Sequence, residues 1–445
     1  MNPIRFNEAL RLAAEATRFD HLPADCRPGL IRDIYGRIRF AIDASSSDFP
    51  EEAYRHFQKT CIALGAYGVR DGVMFRENFS SPETIFNHPD WYETIVSGHE
   101  NEDGSFAEDI VVRLLDRQIT GQDWLHTTEN ADTILAAPRI VFYGIKGGVG
   151  RSTALGMLAY LLAQEGKRVL LLDFDLESPG LSGLLLPPER RAAFGLVDWF
   201  VEDAVGQSDS LLDDLVADSP LAENCPGSIR VASAIGNGET AYLAKLARAY
   251  ADVPTPAGAE RFAHRMRRLV ETLEAKELPE VVLIDSRAGL HDLAAISIAG
   301  LSSVALLFAT DSPQNWQGYQ QLFANWQCHP EVLRGVRERL AIVHALFPES
   351  DQEGRARHFL ENSWTLFRET LYDNVEAGSE TPTDAFTFDL ESEGAPHFPL
   401  RVRWNARFQE FDPLLSEAKG GVGQADIDLA FGPFVRSVKS MVFGE

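Results

Sequence analysis

The chain has 445 residues, 45% apolar and 24% charged, which excludes wholesale disorder and a fibrous repeat and allows roughly two to four domains. Lysine and arginine number 41 against 66 aspartate and glutamate, a net charge of −25. That deficit is shared by both halves of the chain and repels phosphate backbones, so no bulk DNA binding is expected.

The four cysteines, Cys26, Cys61, Cys225 and Cys328, lie far apart. They suggest neither a disulfide framework nor a zinc or iron–sulfur site, and a reducing cytoplasm is the expected setting. The opening residues lack an apolar run of the signal-peptide type. No stretch approaches the ~18 uncharged apolar residues that a spanning helix needs.

In chain order, Ala9, Leu10, Ala13 and Ala14 form the apolar stripe of a helical lead-in. Residues 37–43 read as a strand, and Pro50 opens an amphipathic helix over 51–65. Strands follow at 73–75 and 109–115, which makes residues 1–137 a small mixed α/β domain. Composition shifts at 97–107 and again around 126–138, and the boundary is expected near Pro138.

Beyond it, β-rich runs at 139–143, 168–173, 228–232, 281–285, 304–308 and 340–343 alternate with helical stretches. Strands that are apolar on both faces and separated by helices predict a mostly parallel sheet with helices on both faces, so the chain is α/β. Segment 376–396 reads as a loop or insertion, and an amphipathic stretch is expected after Pro433.

The first of these strands runs into G-I-K-G-G-V-G-R-S-T (144–153) and then a helix. Strand, glycine loop and helix are the context a phosphate loop requires. Gly147, Gly148 and Gly150 let backbone N–H groups converge on one concavity, and the helix N-terminus adds its positive dipole end, so polyphosphate is the natural ligand. Val149 and Thr153 belong to the same cradle, and Ser152 offers its hydroxyl to Mg²⁺. Two further strands end in acids: D-F-D-L-E-S-P-G (173–180) and V-V-L-I-D-S-R-A-G-L (281–290). Carboxylates at strand C-termini face the ligand crevice of an open α/β sheet.

These motifs resemble the deviant-Walker P-loop ATPases of the ParA/MinD type, over about residues 138–445, with Lys146 as the signature lysine. The usual loop lysine is replaced by Arg151, which is similar to a K-G-G-V-G-R subgroup in which a segment like 116–125 lies upstream. The resemblance implies a slow Mg²⁺-dependent ATPase. Asp173 would support the metal and the loop hydroxyl, Asp175 would orient the attacking water, and Asp285 would hold Mg²⁺ through water. The Gly289 amide would sense the γ-phosphate. Lys146 would reach across an ATP-bound homodimer to the partner's nucleotide. Arginine keeps the charge of the missing lysine but is bulkier, so binding should survive better than rate. A hydrolysis-deficient ATP-binding scaffold is the alternative.

Arg287 stands where relatives have proline, either to stabilise transferred charge or to make an ordinary salt bridge. His344 stands where relatives present asparagine to adenine, although a packed strand-end histidine fits as well; loop 309–316 is a further candidate to border the base. The N-terminal domain is expected to read an unidentified protein partner, with Asp116, Arg117, Gln122, Asp123 and Trp124 as a candidate interface or docking turn. Phe434, Val435, Val438, Met441 and Val442 share one helical face, which is expected to pack on the chain's own sheet rather than on a membrane.

Overall fold

The computed structural model describes residues 3–23, 26–98, 107–118, 121–125, 137–255, 258–374, 382, 385–409, 411–415 and 417–444. Most of the two composition shifts at 97–107 and 126–138, and part of segment 376–396, lie outside the described residues. The chain divides into two compact units. One comprises residues 1–122 with 325–331, the other 123–324 with 332–445. The division thus falls between Gln122 and Asp123, within the 116–125 segment.

The first unit is a five-stranded mixed sheet. Its strands are β1 (Gly29–Arg32), β2 (Ile38–Ile42), β3 (Gly68–Phe75), β4 (Trp91–Val96) and β5 (Ile110–Asp116), in the order β3-β2-β1-β5-β4. Helices α1 (Phe6–Ala16) and α2 (Glu51–Ala63) supply Ala9, Ala13, Ala14, Ala53 and Phe57 to a core shared with Leu30, Phe40 and Leu114. A short α3 (Pro82–Phe86) precedes β4. Asp116, at the end of β5, is buried against Arg32.

The second unit holds eight strands in one sheet. They are β6 (Arg139–Gly144), β7 (Arg168–Phe174), β8 (Val216–Asp218), β9 (Ser228–Ala232), then, after a two-stranded ribbon β10 (Val253–Thr255) and β11 (Gly258–Glu260), β12 (Val281–Ser286), β13 (Val304–Ala309), β14 (Leu340–Phe347) and β15 (Leu400–Arg403). Their order is β15-β14-β13-β6-β12-β7-β9-β8, and every pair is parallel except β8 with β9. Strands β6, β12 and β13 are the centre, apolar on both faces as a doubly covered parallel sheet requires.

Helix α4 (Arg151–Gln164) follows β6 and is buried along most of its length. The remaining helices are α5 (Leu181–Leu185), α6 (Leu196–Asp203), α7 (Tyr242–Ala249), α8 (Phe262–Glu277), α9 (Asp292–Ala295), α10 (Pro313–Gln327), α11 (Pro330–Arg337), α12 (Gln352–Thr370) and α13 (Gln424–Phe443).

The C-terminal helix begins at Gln424, nine residues before Pro433, and carries that proline inside it. Ile427, Ala430 and Phe431 continue its apolar face upstream and are buried in the same core as Phe434, Val435 and Val438. Packing of this face outweighs the hydrogen bond that the proline removes. The Phe434 ring lies edge-on to Phe142 and Phe308, so the apolar face is spent on the chain's own sheet, while Met441 remains exposed. Among the described residues, no helix is long and apolar enough to cross a membrane.

Candidate functional site

The loop between β6 and α4 is shaped by its glycines. Gly148 and Gly150 have φ of 75° and 77°, a region that side-chain-bearing residues rarely adopt. A Cβ on Gly147 or Gly148 would meet nothing within 4 Å, so the loop backbone is open there. Val149 turns inward and is buried. Gly150 caps α4 with no side-chain hydrogen bond, which leaves the first amides of the helix, at Arg151, Ser152 and Thr153, to an external acceptor.

Three carboxylates stand at the ends of neighbouring strands beside this loop. Asp173 and Asp285 are paired in register across β7 and β12, and both are buried. Asp173 accepts the backbone N–H groups of Asp175 at 3.3 Å and Leu181 at 3.2 Å. Burial, with the negative charges of Asp285 and Asp175 added, pushes the Asp173 carboxyl well above the usual range.

Ser152 Oγ donates to Asp285 Oδ2 at 2.7 Å. Arg151 takes the other oxygen: its Nε donates to Asp285 Oδ1 at 2.8 Å, and its Nη2 to Asp175 Oδ2 at 3.0 Å. Burial also raises Asp175, against the opposing pull of the Arg151 charge. For Arg151, burial would lower the pKa, but Asp285 and Asp175 outweigh it and the guanidinium is held charged. Its third nitrogen, Nη1, is buried with no hydrogen-bond partner among the described residues.

Lys146 is exposed at the tip of the loop. Gly289, with φ of 84°, donates its N–H to Gly144 O at 3.0 Å, so a phosphate would have to replace that acceptor. Its carbonyl accepts the Tyr143 hydroxyl at 3.1 Å. Arg287 pairs with Glu177, which also accepts the Tyr250 hydroxyl at 2.5 Å and lies 3.6 Å from His291. The salt-bridge reading of Arg287 is the arrangement found.

His344 is buried, stacked on Phe359 with ring centroids 3.9 Å apart. Burial drives its pKa down to about 4, which keeps the imidazole neutral. It is a packed core residue in this arrangement. In loop 309–316, Asn315 is turned inward onto Thr310 and Ser312, and Asp311 accepts from Trp316 Nε1 at 2.8 Å. Of the 116–125 segment, Gln122 holds the Asp116 carbonyl, and Trp124 is buried with its ring edge-on to Tyr143. Arg117 Nη1 lies 3.8 Å from Asp90.

Sequence reasoning missed a cavity of about 430 Å³ that borders Gly148, Gly150 and Thr153. Its far wall is Leu346 at the end of β14 and Arg403, Trp404, Asn405 and Phe408 at and beyond β15. Trp404 is 41% exposed, a large aromatic face open to solvent beside the loop. The signal was a tryptophan next to an asparagine straight after a short stretch alternating apolar residues with arginine, but nothing local tied it to a loop some 250 residues earlier.

Residues 140–298 match the family model described as the CobQ/CobB/MinD/ParA nucleotide binding domain. A stretch of 48 residues is 48% identical to the carbon monoxide dehydrogenase accessory protein CooC of Rhodospirillum rubrum, covering 11% of this chain and 18% of that protein. Among solved structures, the McdA–ATP complex of Cyanothece aligns with 14% identity and a TM-score of 0.41, over 69% of this chain and 97% of that one. A ParA family ATPase from Chlorobium tepidum aligns with 14% identity and a TM-score of 0.40, over 69% and 99%.

Proposed function

We propose that this chain, which carries a CobQ/CobB/MinD/ParA nucleotide-binding domain over residues 140–298, is an ATP-dependent molecular switch that binds Mg-ATP, hydrolyses it slowly, dimerises around it and controls a protein partner. The observation that carries this reading is the buried Arg151 guanidinium with one terminal nitrogen, Nη1, unsatisfied, beside a glycine loop and uncapped helix amides. A buried charged donor left unpaired costs free energy that a phosphate oxygen would recover.

The residues fit the nucleotide as follows. The amides of 147–153 and Arg151 Nη1 bind phosphate oxygens, and the cavity beside Trp404 is large enough for a base. Among the described residues no cluster of three histidine, cysteine or acidic side chains is set to hold a metal. A Mg²⁺ here would take most of its oxygens from phosphate and water, with the Ser152 hydroxyl and Asp285 carboxylate as the chain's share. When bound, it would neutralise phosphate charge. Asp173 holds the backbone at Asp175 and Leu181, and Asp175 is the group to orient a water toward the γ-phosphate. Lys146, exposed at the loop tip, is free to contribute its charge to a second protomer's nucleotide.

One contact favours a second reading, an ATP-binding scaffold deficient in hydrolysis. Arg151 Nη2 is bonded to Asp175, and a carboxylate held by a guanidinium is a poorer acceptor for a water proton. Equilibrium binding of labelled ATP, alongside phosphate release by the wild type and Asp175→Ala, tests both. The switch predicts binding by both proteins and release by the wild type alone. Release by neither supports the scaffold, and no saturable binding by the wild type overturns both readings.

A further inference from the structure

The five-stranded sheet of the first unit has two edges. At the β4 edge the chain covers itself, because Ile95 N–H donates to Cys328 O at 2.9 Å and residues 325–331 belong to this unit. At the other edge, β3 pairs with β2 on one side, and among the described residues no strand follows it. Such an edge presents unpaired backbone donors and acceptors and is ready to pair with another segment.

A cavity of about 490 Å³ lies between this strand and residues of α2 and the segment before it, among them Phe49, Tyr54 and Gln58. It is lined by every residue from 71 to 75, not by alternate ones. The register against β2 slips between Gly68 and Val73, so β3 is bulged around Asp71 and Gly72 and runs regularly only from Val73 to Phe75, and both stretches line the cavity. Its floor is aromatic. The Phe49 ring lies edge-on to Phe75 at 5.3 Å, and Tyr54 lies 6.0 Å from Phe75.

Its rim is acidic. Glu51, Asp71 and Glu77 line it, and no lysine or arginine does. Of the neighbouring cations, Arg55 pairs with Glu51 and Arg76 with Asp43 and Glu83, while Arg70 and Lys59 are exposed beside the lining residues Asp71 and Gln58. Asp71 is exposed. An aromatic floor under a carboxylate rim suits the long side chain of lysine or arginine, with the stem on the rings and the charge at the rim.

We infer that the β3 edge is a docking site for an extended, basic segment of a partner protein, which adds as a sixth strand and places alternate lysine or arginine side chains in the groove. Main-chain hydrogen bonds would supply much of the affinity, and the acidic rim would choose the charge. This inference concerns the first unit alone and does not depend on nucleotide.

The test uses the full chain and a labelled, end-capped peptide of about eight residues alternating lysine with valine, a length that matches an ordinary strand. Three relatives of the peptide serve as controls: one with glutamate for lysine, one N-methylated on alternate amides, and spermine as a free polyamine. Binding is read by fluorescence anisotropy and backbone protection by hydrogen exchange. The lysine peptide should bind and slow exchange within 68–75. Asp71→Lys on the exposed rim, or alternate N-methylation, should each weaken binding at least about tenfold, and the glutamate peptide should not bind.

Equal affinity for the N-methylated peptide would overturn strand addition in favour of plain charge attraction. Full competition by spermine at equal charge would assign the groove to small amines. Light scattering that detects dimers broken by Asp71→Lys would assign the edge to a second copy of the chain. Protection confined to residues outside the first unit would also overturn the proposal.

Discussion

Arg151 and Asp285 form a buried ion pair in which the guanidinium Nε donates to Oδ1 at 2.8 Å while Ser152 takes Oδ2 at 2.7 Å. The first residue of α4 therefore sets one positive charge between Asp285 on β12 and Asp175 just past β7. Arg151→Ala leaves Asp285 and Asp175 buried beside Asp173 without the cation bonded to them. Breaking a buried pair from one side costs about 3 kcal/mol, and urea unfolding should register that loss. Adding Asp285→Asn should restore part of it, because the second charge goes with the first.

Lys146 is exposed and stands outside this buried group. Lys146→Ala should leave ATP binding within about twofold of wild type, within the range of surface changes. On an Asp175→Ala background it should abolish ATP-induced dimers in light scattering. A Lys146→Ala variant that dimerises normally removes the in-trans role.

Trp404 offers an exposed ring to the cavity next to Gly148 and Gly150. If a nucleotide base stacks there, Trp404→Ala should weaken ATP and ADP alike by roughly tenfold, the scale of one aromatic stacking contact. Trp404→Phe should recover most of the affinity. Inorganic triphosphate, which has no base, should bind both proteins equally in competition assays.

Asp123 gives a pH dependence with a definite sign. Burial, and then the charges of Asp292 and Asp252, raise its pKa from 3.8 to about 7. The folded state binds this proton more tightly than the unfolded state does. Stability is therefore greatest below about pH 4 as far as this group is concerned, and falls as pH climbs toward 7. A rise of that size bounds the effect at about 4 kcal/mol. Asp123→Asn should flatten this part of the stability profile between about pH 4 and 7 and raise Tm at pH 8. An unchanged profile would show that Asp123 is not held in this environment.

How far these features were legible in the sequence depended on whether their cause was local. The central strands β6, β7, β12 and β13 announce themselves because burial on both faces requires an unbroken apolar run. The phosphate loop is equally local, with its glycines, Arg151 and Ser152 lying within ten residues. Strands β1, β4 and β8 escaped notice because they are short or at sheet edges and mix polar with apolar residues. Pro433 was read as a helix start because proline usually ends or opens helices; only the packing of Phe431 and Phe434 shows that the helix runs through it.

At the site, Asp173, Asp175 and Asp285 were found from their positions at strand ends. That Arg151 would turn toward two of them was not visible, since the pairing spans 134 residues. The same holds for the Glu177 partner of Arg287 and for Trp404, which share no motif with the groups they approach.

The central claim is that the 144–153 loop binds ATP and that Arg151 grips it through Nη1, the terminal nitrogen left unsatisfied. Its most direct test is equilibrium dialysis of labelled ATP against the wild type, Arg151→Ala and Arg151→Lys, with circular dichroism to establish that each is folded. The account predicts saturable binding by the wild type, a loss of at least about tenfold in Arg151→Ala for a charge-assisted bond, and partial recovery in Arg151→Lys. Binding by a folded Arg151→Ala with wild-type affinity, or no saturable binding by the wild type, would contradict it.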